Sequence, residues 1–127
     1  MSTTAAELVA QARQGIRETT PQDARSNSRA VLIDVREPAE YASGHIPGAI
    51  NIPRGVLEFQ VDAHPAVAGV SDPALSNKDC PIIIYCRTGG RAALATQALQ
   101  SMGFSDVLSI AGGILAWSEA GLPLNAR

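Results

Sequence analysis

A chain of 127 residues, 46% hydrophobic and 17% charged, is sized for one ordinary soluble globular domain with a single core, not for a disordered or fibrous chain. Ten basic against twelve acidic residues give a net charge of -2, which argues against a nucleic-acid partner, and no apolar run approaches the roughly 18 residues of a membrane span. Two cysteines make no disulfide framework, and the start MSTTAAELVAQARQG lacks the basic opening and apolar core of a secretory signal, so the expected location is the reducing cytoplasm.

Thr4 to Glu7 has capping-box spacing, and Ala6, Val9, Ala10, Ala12, Arg13 and Ile16 then form a modest amphipathic helix ending near Gly15. It reads as an appendage, either lying on the core or reaching for a partner. Thr20 and Pro21 cap and open a second, short helix that ends before the loop Ser26-Asn27-Ser28. Ala30 to Val35 is a strong apolar strand, with Asp34, Arg36 and Glu37 gathered at its carboxyl end. Burying an aspartate there demands a partner, so Asp34 and Arg36 are expected to hold loops in shape. Pro38 opens a short helix through Tyr41, closed by Ser43-Gly44. His45 to Gly48 then turns tightly into the brief strand Ala49-Ile50-Asn51. His45 has two readings, a general base or a structural hydrogen-bonder. With His64 distant in sequence and the cysteines unpaired in spacing, no metal set emerges. Arg54 to Gln60 suits a helical turn or two, and His64 to Asp79, rich in Ala, Pro, Gly and Ser, a surface excursion.

Ile82 to Tyr85 is a β-branched apolar run suited to a central strand covered on both faces. Cys86 follows at its carboxyl end. Gly89 and Gly90 break the pattern, and Ala92, Ala95, Leu99 and Met102 recur at helical spacing behind them. In open α/β sheets, chemistry collects at such a place. The glycines let backbone N–H groups turn inward as an anion nest, the helix start adds its own amides, and Arg87 and Arg91 add two charges. A thiol in that field is expected to ionise well below its ordinary value of about 8.5 and to act as a nucleophile. A lone cysteine after an apolar strand is as a rule buried and inert; the glycines, arginines and helix together turn the reading the other way. Cys80 shares strand parity with Cys86 and reads as an unreactive strand-start residue, with a resolving thiol as the alternative. Gly103 stops the helix with Phe104 folding back, Val107 to Ile110 is a last strand, and Gly112-Gly113 leads into a helix from Ile114 to Ala120 with Trp117 in the core. Gly121 and Pro123 end the fold. No repeat or low-complexity segment interrupts this alternation, which indicates a parallel α/β sheet.

With LIDVREPAEYASGHIPGAINIP, IIIYCRTGGRA and GGILAW in that order, the chain resembles a rhodanese-type, single-domain sulfurtransferase from about Thr19 to Pro123. The resemblance implies a central parallel sheet flanked by helices on both faces, with residues 1–18 as a helical extension and 19–127 as the rhodanese-like domain. It puts the catalytic cysteine on Cys86, the substrate-binding loop on Arg87, Thr88, Gly89, Gly90 and Arg91, and the supporting pair on Asp34 and Arg36. The implied activity is double displacement. A sulfur atom passes from thiosulfate or a persulfide donor to Cys86, and then to cyanide or a thiol, a protein thiol included. No metal or organic cofactor is implied, since sulfur is the group carried. Arg87 and Arg91 would orient an anionic donor, unless Arg91 is tied up internally and leaves Arg87 as the contact. Two alternatives stand beside this. One is a persulfide carrier or binding module serving a partner protein. The other is a phosphatase or arsenate reductase of the related branch, whose loops between cysteine and arginine are longer than Arg87 to Gly90 and enclose a larger anion. A monomer without nucleic-acid or membrane partners is expected.

Overall fold

A computed structural model describes residues 2–62 and 73–125. Its elements run α1 (Ala5–Gly15), β1 (Arg17–Thr19), α2 (Pro21–Ser26), β2 (Val31–Asp34), α3 (Pro38–Ala42), β3 (Ile50–Asn51), α4 (Leu57–Val61), β4 (Ile82–Tyr85), α5 (Gly90–Ser101), β5 (Val107–Ile110) and α6 (Gly113–Glu119). Short 3-10 turns cover Arg54–Val56 and Pro73–Ser76. His64 lies outside the described residues, as does the first part of the excursion expected there. That excursion re-enters the core at Leu75, which is fully buried.

Local chemistry explains most boundaries. Thr4 and Glu7 form the reciprocal capping box at 2.9 and 3.1 Å, and Thr20 accepts from the Asp23 N–H ahead of Pro21. The Phe104 N–H returns to the Leu99 carbonyl across Gly103, whose φ of 97° only glycine adopts without strain.

The five strands pair in the order β1-β5-β4-β2-β3, every pair parallel. This is the parallel α/β sheet that the strand and helix alternation predicts. Side chains of β4 alternate between two cores. Ile82, Ile84 and Cys86 join Leu57, Ala92, Ala95 and Leu99 on one face, under α4 and α5. Ile83 and Tyr85 join Ala24, Ile46, Ile114 and Trp117 on the other, under α2 and α6. With both faces covered, β4 is buried along its whole length, which is why it reads as an uninterrupted apolar run.

The chain leaves β2 through α3 toward the β3 edge, and leaves β4 through α5 toward β5. These two departures in opposite directions make the β2/β4 seam a topological switch point, and its carboxyl end is a crevice. Asp34, Arg36 and Cys86 all sit there.

Two features depart from sequence expectation. Arg17–Thr19 has no apolar alternation, yet it is a strand, held at the sheet edge by pairing with Leu108–Ile110. Helix α1 packs against α5 with Ala12 fully buried, while Ala6 and Ala10 of the anticipated apolar face stay exposed.

Candidate active site

Cys86 is 2% exposed and lies beside aliphatic neighbours, a setting that would by itself leave it inert. The backbone around it changes that. The Gly89 N–H donates to Sγ at 3.1 Å and the Ala92 N–H at 3.4 Å, so the loop and the first turn of α5 both aim at the sulfur. Gly89 makes this turn with φ of 120°, a conformation that any side chain would strain. Both donors present the positive end of an N–H dipole to the sulfur.

What keeps the loop in this shape comes from the GGILAW segment. The first amides of α6 reach across: Ile114 N–H donates to the Cys86 carbonyl at 2.9 Å and Leu115 N–H to the Arg87 carbonyl at 3.2 Å. Those two bonds fix the 86–87 and 87–88 peptide planes, from which the chain turns into Gly89 and its N–H to the sulfur. The approach is so close that a Cβ on Gly113 would come within 2.6 Å of the Cys86 oxygen and fall on the Arg87 carbonyl as well. Gly113→Ala should therefore push the loop out of register, lowering sulfur uptake at least about tenfold and stability by roughly 2 kcal/mol. Gly121→Ala is the control, since Gly121 also has a positive φ (75°) but open space at its Cβ position. It should lose stability without losing activity. Equal loss of activity in both would detach the α6 contact from the loop's function.

From the β2 side, Asp34 and Arg36 form a buried knot. The guanidinium meets both carboxylate oxygens at 2.7 to 3.1 Å, the Arg36 N–H caps Oδ1 at 2.9 Å, and Nη2 also donates to the Gly44 carbonyl at 2.7 Å. Burial opposes the Arg36 charge, but the bonds and charge of Asp34 outweigh it, so its pKa rises. Tyr85 beside them is held protonated, chiefly by burial and then by the Asp34 charge. Asn51, which carries no sequence signal beyond its place after an apolar pair, donates to the carbonyls of Asp34 and Arg36 at 3.0 and 2.9 Å. The knot joins β2, β3 and the Gly44 turn.

Arg91 is engaged internally. Both oxygens of Glu40 bind its guanidinium, at 2.7 and 3.1 Å. Glu40 was not anticipated from sequence; a carboxylate one turn into a helix is common, and only the fold sets it opposite Arg91. The Arg91 hydrogen bonds bring the Glu40 carboxyl down to about 2, partly against burial and helped by the Glu37 N–H. Its contribution to stability is thus complete above the ordinary value of 4.5 and fades as pH falls toward about 2. Glu40→Gln should cost about 0.5–1 kcal/mol at pH 6, a modest figure because the pair is a third exposed, and clearly less at pH 3. Urea unfolding at both pH values reads this; a cost independent of pH would assign it to packing instead.

Arg87 and Thr88 are exposed at the loop's outer rim, and Arg87 forms no ion pair with a described residue. His45 is buried, stacked 3.8 Å from Tyr41, with Nδ1 bonded to the Tyr41 carbonyl at 3.0 Å; its backbone pairs with Asn125. These contacts make it a structural hydrogen-bonder. Cys80 lies at the opposite end of β4, about 20 Å from Cys86 for a strand rising about 3.3 Å per residue, which is beyond disulfide reach. Among the described residues there is no group of three or more metal-ligating side chains, and no helix is long and apolar enough to cross a membrane. A cavity of about 310 Å³ opens on the other face of the sheet, lined by Leu32, Ile46, Ile83 and Trp117, and contains none of the loop.

A parallel sheet with a cysteine at its switch point, its sulfur met by N–H groups of the following loop and helix, is the arrangement of the rhodanese-like class. Residues 19–120 match the model of the rhodanese-like domain, and the chain belongs to that family. It is 34% identical over 109 residues to a sulfurtransferase of Allochromatium vinosum, covering 86% of this chain and 91% of that one. It is 35% identical over 98 residues to the thiosulfate:glutathione sulfurtransferase of Homo sapiens, covering 74% and 84%. Among solved structures, a Rhodopseudomonas palustris protein of unknown function, described as a possible tyrosine phosphatase, superposes with a TM-score of 0.83 at 33% identity, covering 98% of this chain and 96% of that one.

Proposed function

We propose that the protein transfers sulfane sulfur through a persulfide on Cys86, from thiosulfate or a persulfide donor to cyanide or a thiol. The observation that carries this is the pair of N–H groups, from Gly89 and Ala92, aimed at Sγ. The Cys86 thiolate attacks the outer sulfur of thiosulfate; a new S–S bond forms, the old one breaks, and sulfite departs with its electron pair. The anionic outer sulfur of the resulting persulfide takes the place of the thiolate as the charged centre, within the same N–H cradle. Cyanide carbon then attacks that outer sulfur, thiocyanate leaves, and the thiolate returns. Protons balance without a general base, which suits a site where His45 is occupied elsewhere. Arg87 meets the anionic donor at the rim. Arg91 acts from within, through Glu40, on the loop's shape.

A phosphatase needs its loop arginine turned onto phosphate, and both oxygens of Glu40 hold Arg91 away from such a role. The span from Arg87 to Gly90 is also short for a tetrahedral oxyanion. A carrier differs from a free enzyme only in its acceptor.

Mass spectrometry after thiosulfate should show one added sulfur atom on Cys86, and cyanide should remove it as thiocyanate. Turnover of an aryl phosphate without sulfur uptake would overturn the proposal. Sulfur uptake with negligible thiocyanate release would point to a carrier.

A further inference from the structure

Helix α1 precedes the family region, which begins at Thr19, yet it reaches the active loop. Val9 Cγ2 lies 3.6 Å from the Cβ position of Gly90, and Arg13 Nη2 lies 3.0 Å from that of Gly89. Ala12 between them is fully buried, so the base of Arg13 is anchored. The Gly89 N–H itself points at Sγ, 3.1 Å away, so the Arg13 guanidinium stands within about 9 Å of the sulfur. Its other neighbour is Glu18 of β1, whose Oε2 is 4.0 Å from Nε. Arg91 is held by both oxygens of Glu40 at 2.7 and 3.1 Å, whereas Arg13 meets Glu18 only at 4.0 Å and Arg87 forms no ion pair with a described residue, so these two cations are the less neutralised ones near the loop.

From this we infer that Arg13 is a specificity-determining residue of the sulfur site, a fixed positive charge behind Gly89 that favours anionic donors and anionic sulfur on Cys86. The inference rests on the sulfur-transfer reading for its donor, but its electrostatic content does not. The Arg13 side chain is 46% exposed and so partly screened, but Gly89 between it and the sulfur is buried, and one charge at that range still shifts the local potential enough to be read kinetically. It also lies near one Debye length at physiological salt, so low ionic strength exposes it.

The test alkylates Cys86 in a Cys80→Ser background, with anionic iodoacetate and neutral iodoacetamide in parallel. The same thiolate attacks both, so the ratio of their rates reports the local potential and not the extent of ionisation. At low salt Arg13→Gln should lower the iodoacetate/iodoacetamide ratio about two- to fivefold. Arg13→Lys should restore it, and Glu18→Gln should raise it above wild type. With thiosulfate as donor and cyanide as acceptor, Arg13→Gln should raise KM several-fold while kcat changes little. An unchanged ratio in Arg13→Gln overturns the inference. So does Arg13→Lys matching Arg13→Gln, which would make the residue a spacer rather than a charge. If wild type took up no sulfur at all, the functional reading would fall while the alkylation ratio still judged Arg13.

Discussion

Serine in place of Cys86 should leave a folded protein that takes up no sulfur from thiosulfate and releases no thiocyanate. The loop does not depend on the thiol for its shape, since the carbonyls of residues 86 and 87 are held by α6 and the Asp34–Arg36 knot is independent of the sulfur. A hydroxyl can also accept from the Gly89 and Ala92 N–H groups, so stability should change by no more than about 1 kcal/mol. What disappears is the polarisable sulfur nucleophile. Losing a covalent nucleophile outright lowers turnover by at least about a thousandfold. The added mass of one sulfur atom, present on wild type after thiosulfate, should be missing. Cys80→Ser should keep it, because Cys80 sits at the far end of β4. Sulfur retained by the Cys86→Ser protein would move the chemistry to another residue and end the proposal.

The largest loss of stability should come from Asp34→Ala. Asp34 is fully buried and Arg36 nearly so, at 0% and 6% exposed, and every oxygen of the carboxylate is bonded to Arg36. Removing the carboxylate leaves a guanidinium charge in the interior with the Gly44 carbonyl and the Tyr85 ring, 5.8 Å from its centre, but no ion-pair partner among the described residues. Breaking one side of such a pair costs about 3–5 kcal/mol, a large share of a typical domain's 5–15 kcal/mol. Asp34→Ala combined with Arg36→Met should recover much of that loss, because the stranded charge is then gone. Sulfur uptake should stay impaired in the double variant, since the Gly44 turn and the β2 end lose their tie. Denaturant midpoints for the single and double variants decide it. If Asp34→Ala cost less than about 1 kcal/mol, the pair would be no more than a surface-like contact despite its burial.

Much of this was legible along the chain, for a physical reason that differs by feature. Strand β4 and the helix behind Cys86 are contiguous, and each is specified by near-neighbour chemistry: β-branched residues for the strand, glycine for the turn, and the spacing of Ala92, Ala95 and Leu99 for the helix. Caps at Thr4 and Thr20 depend on three or four residues and are written out in full. Hence the parallel α/β class, the position of Cys86 at a strand end and the loop beside it could all be read directly.

Other parts exist only once distant segments meet. Arg17–Thr19 becomes a strand because β5 offers an unpaired edge, and no local pattern records that. Asn51 and Glu40 are ordinary polar residues until the switch point sets one against the carbonyls of residues 34 and 36 and the other against Arg91. The pairing of Arg91 with Glu40, 51 residues away, and the burial of His45 against Tyr41 likewise exist only in the folded chain. Which residues can carry charge, turn or pack is written in the chain, since these are properties of side chain and near neighbours. Which charges neutralise each other, and which remain to act on the sulfur, such as Arg13 behind Gly89, is fixed in three dimensions, because Coulomb energy depends on distance in space and not along the chain.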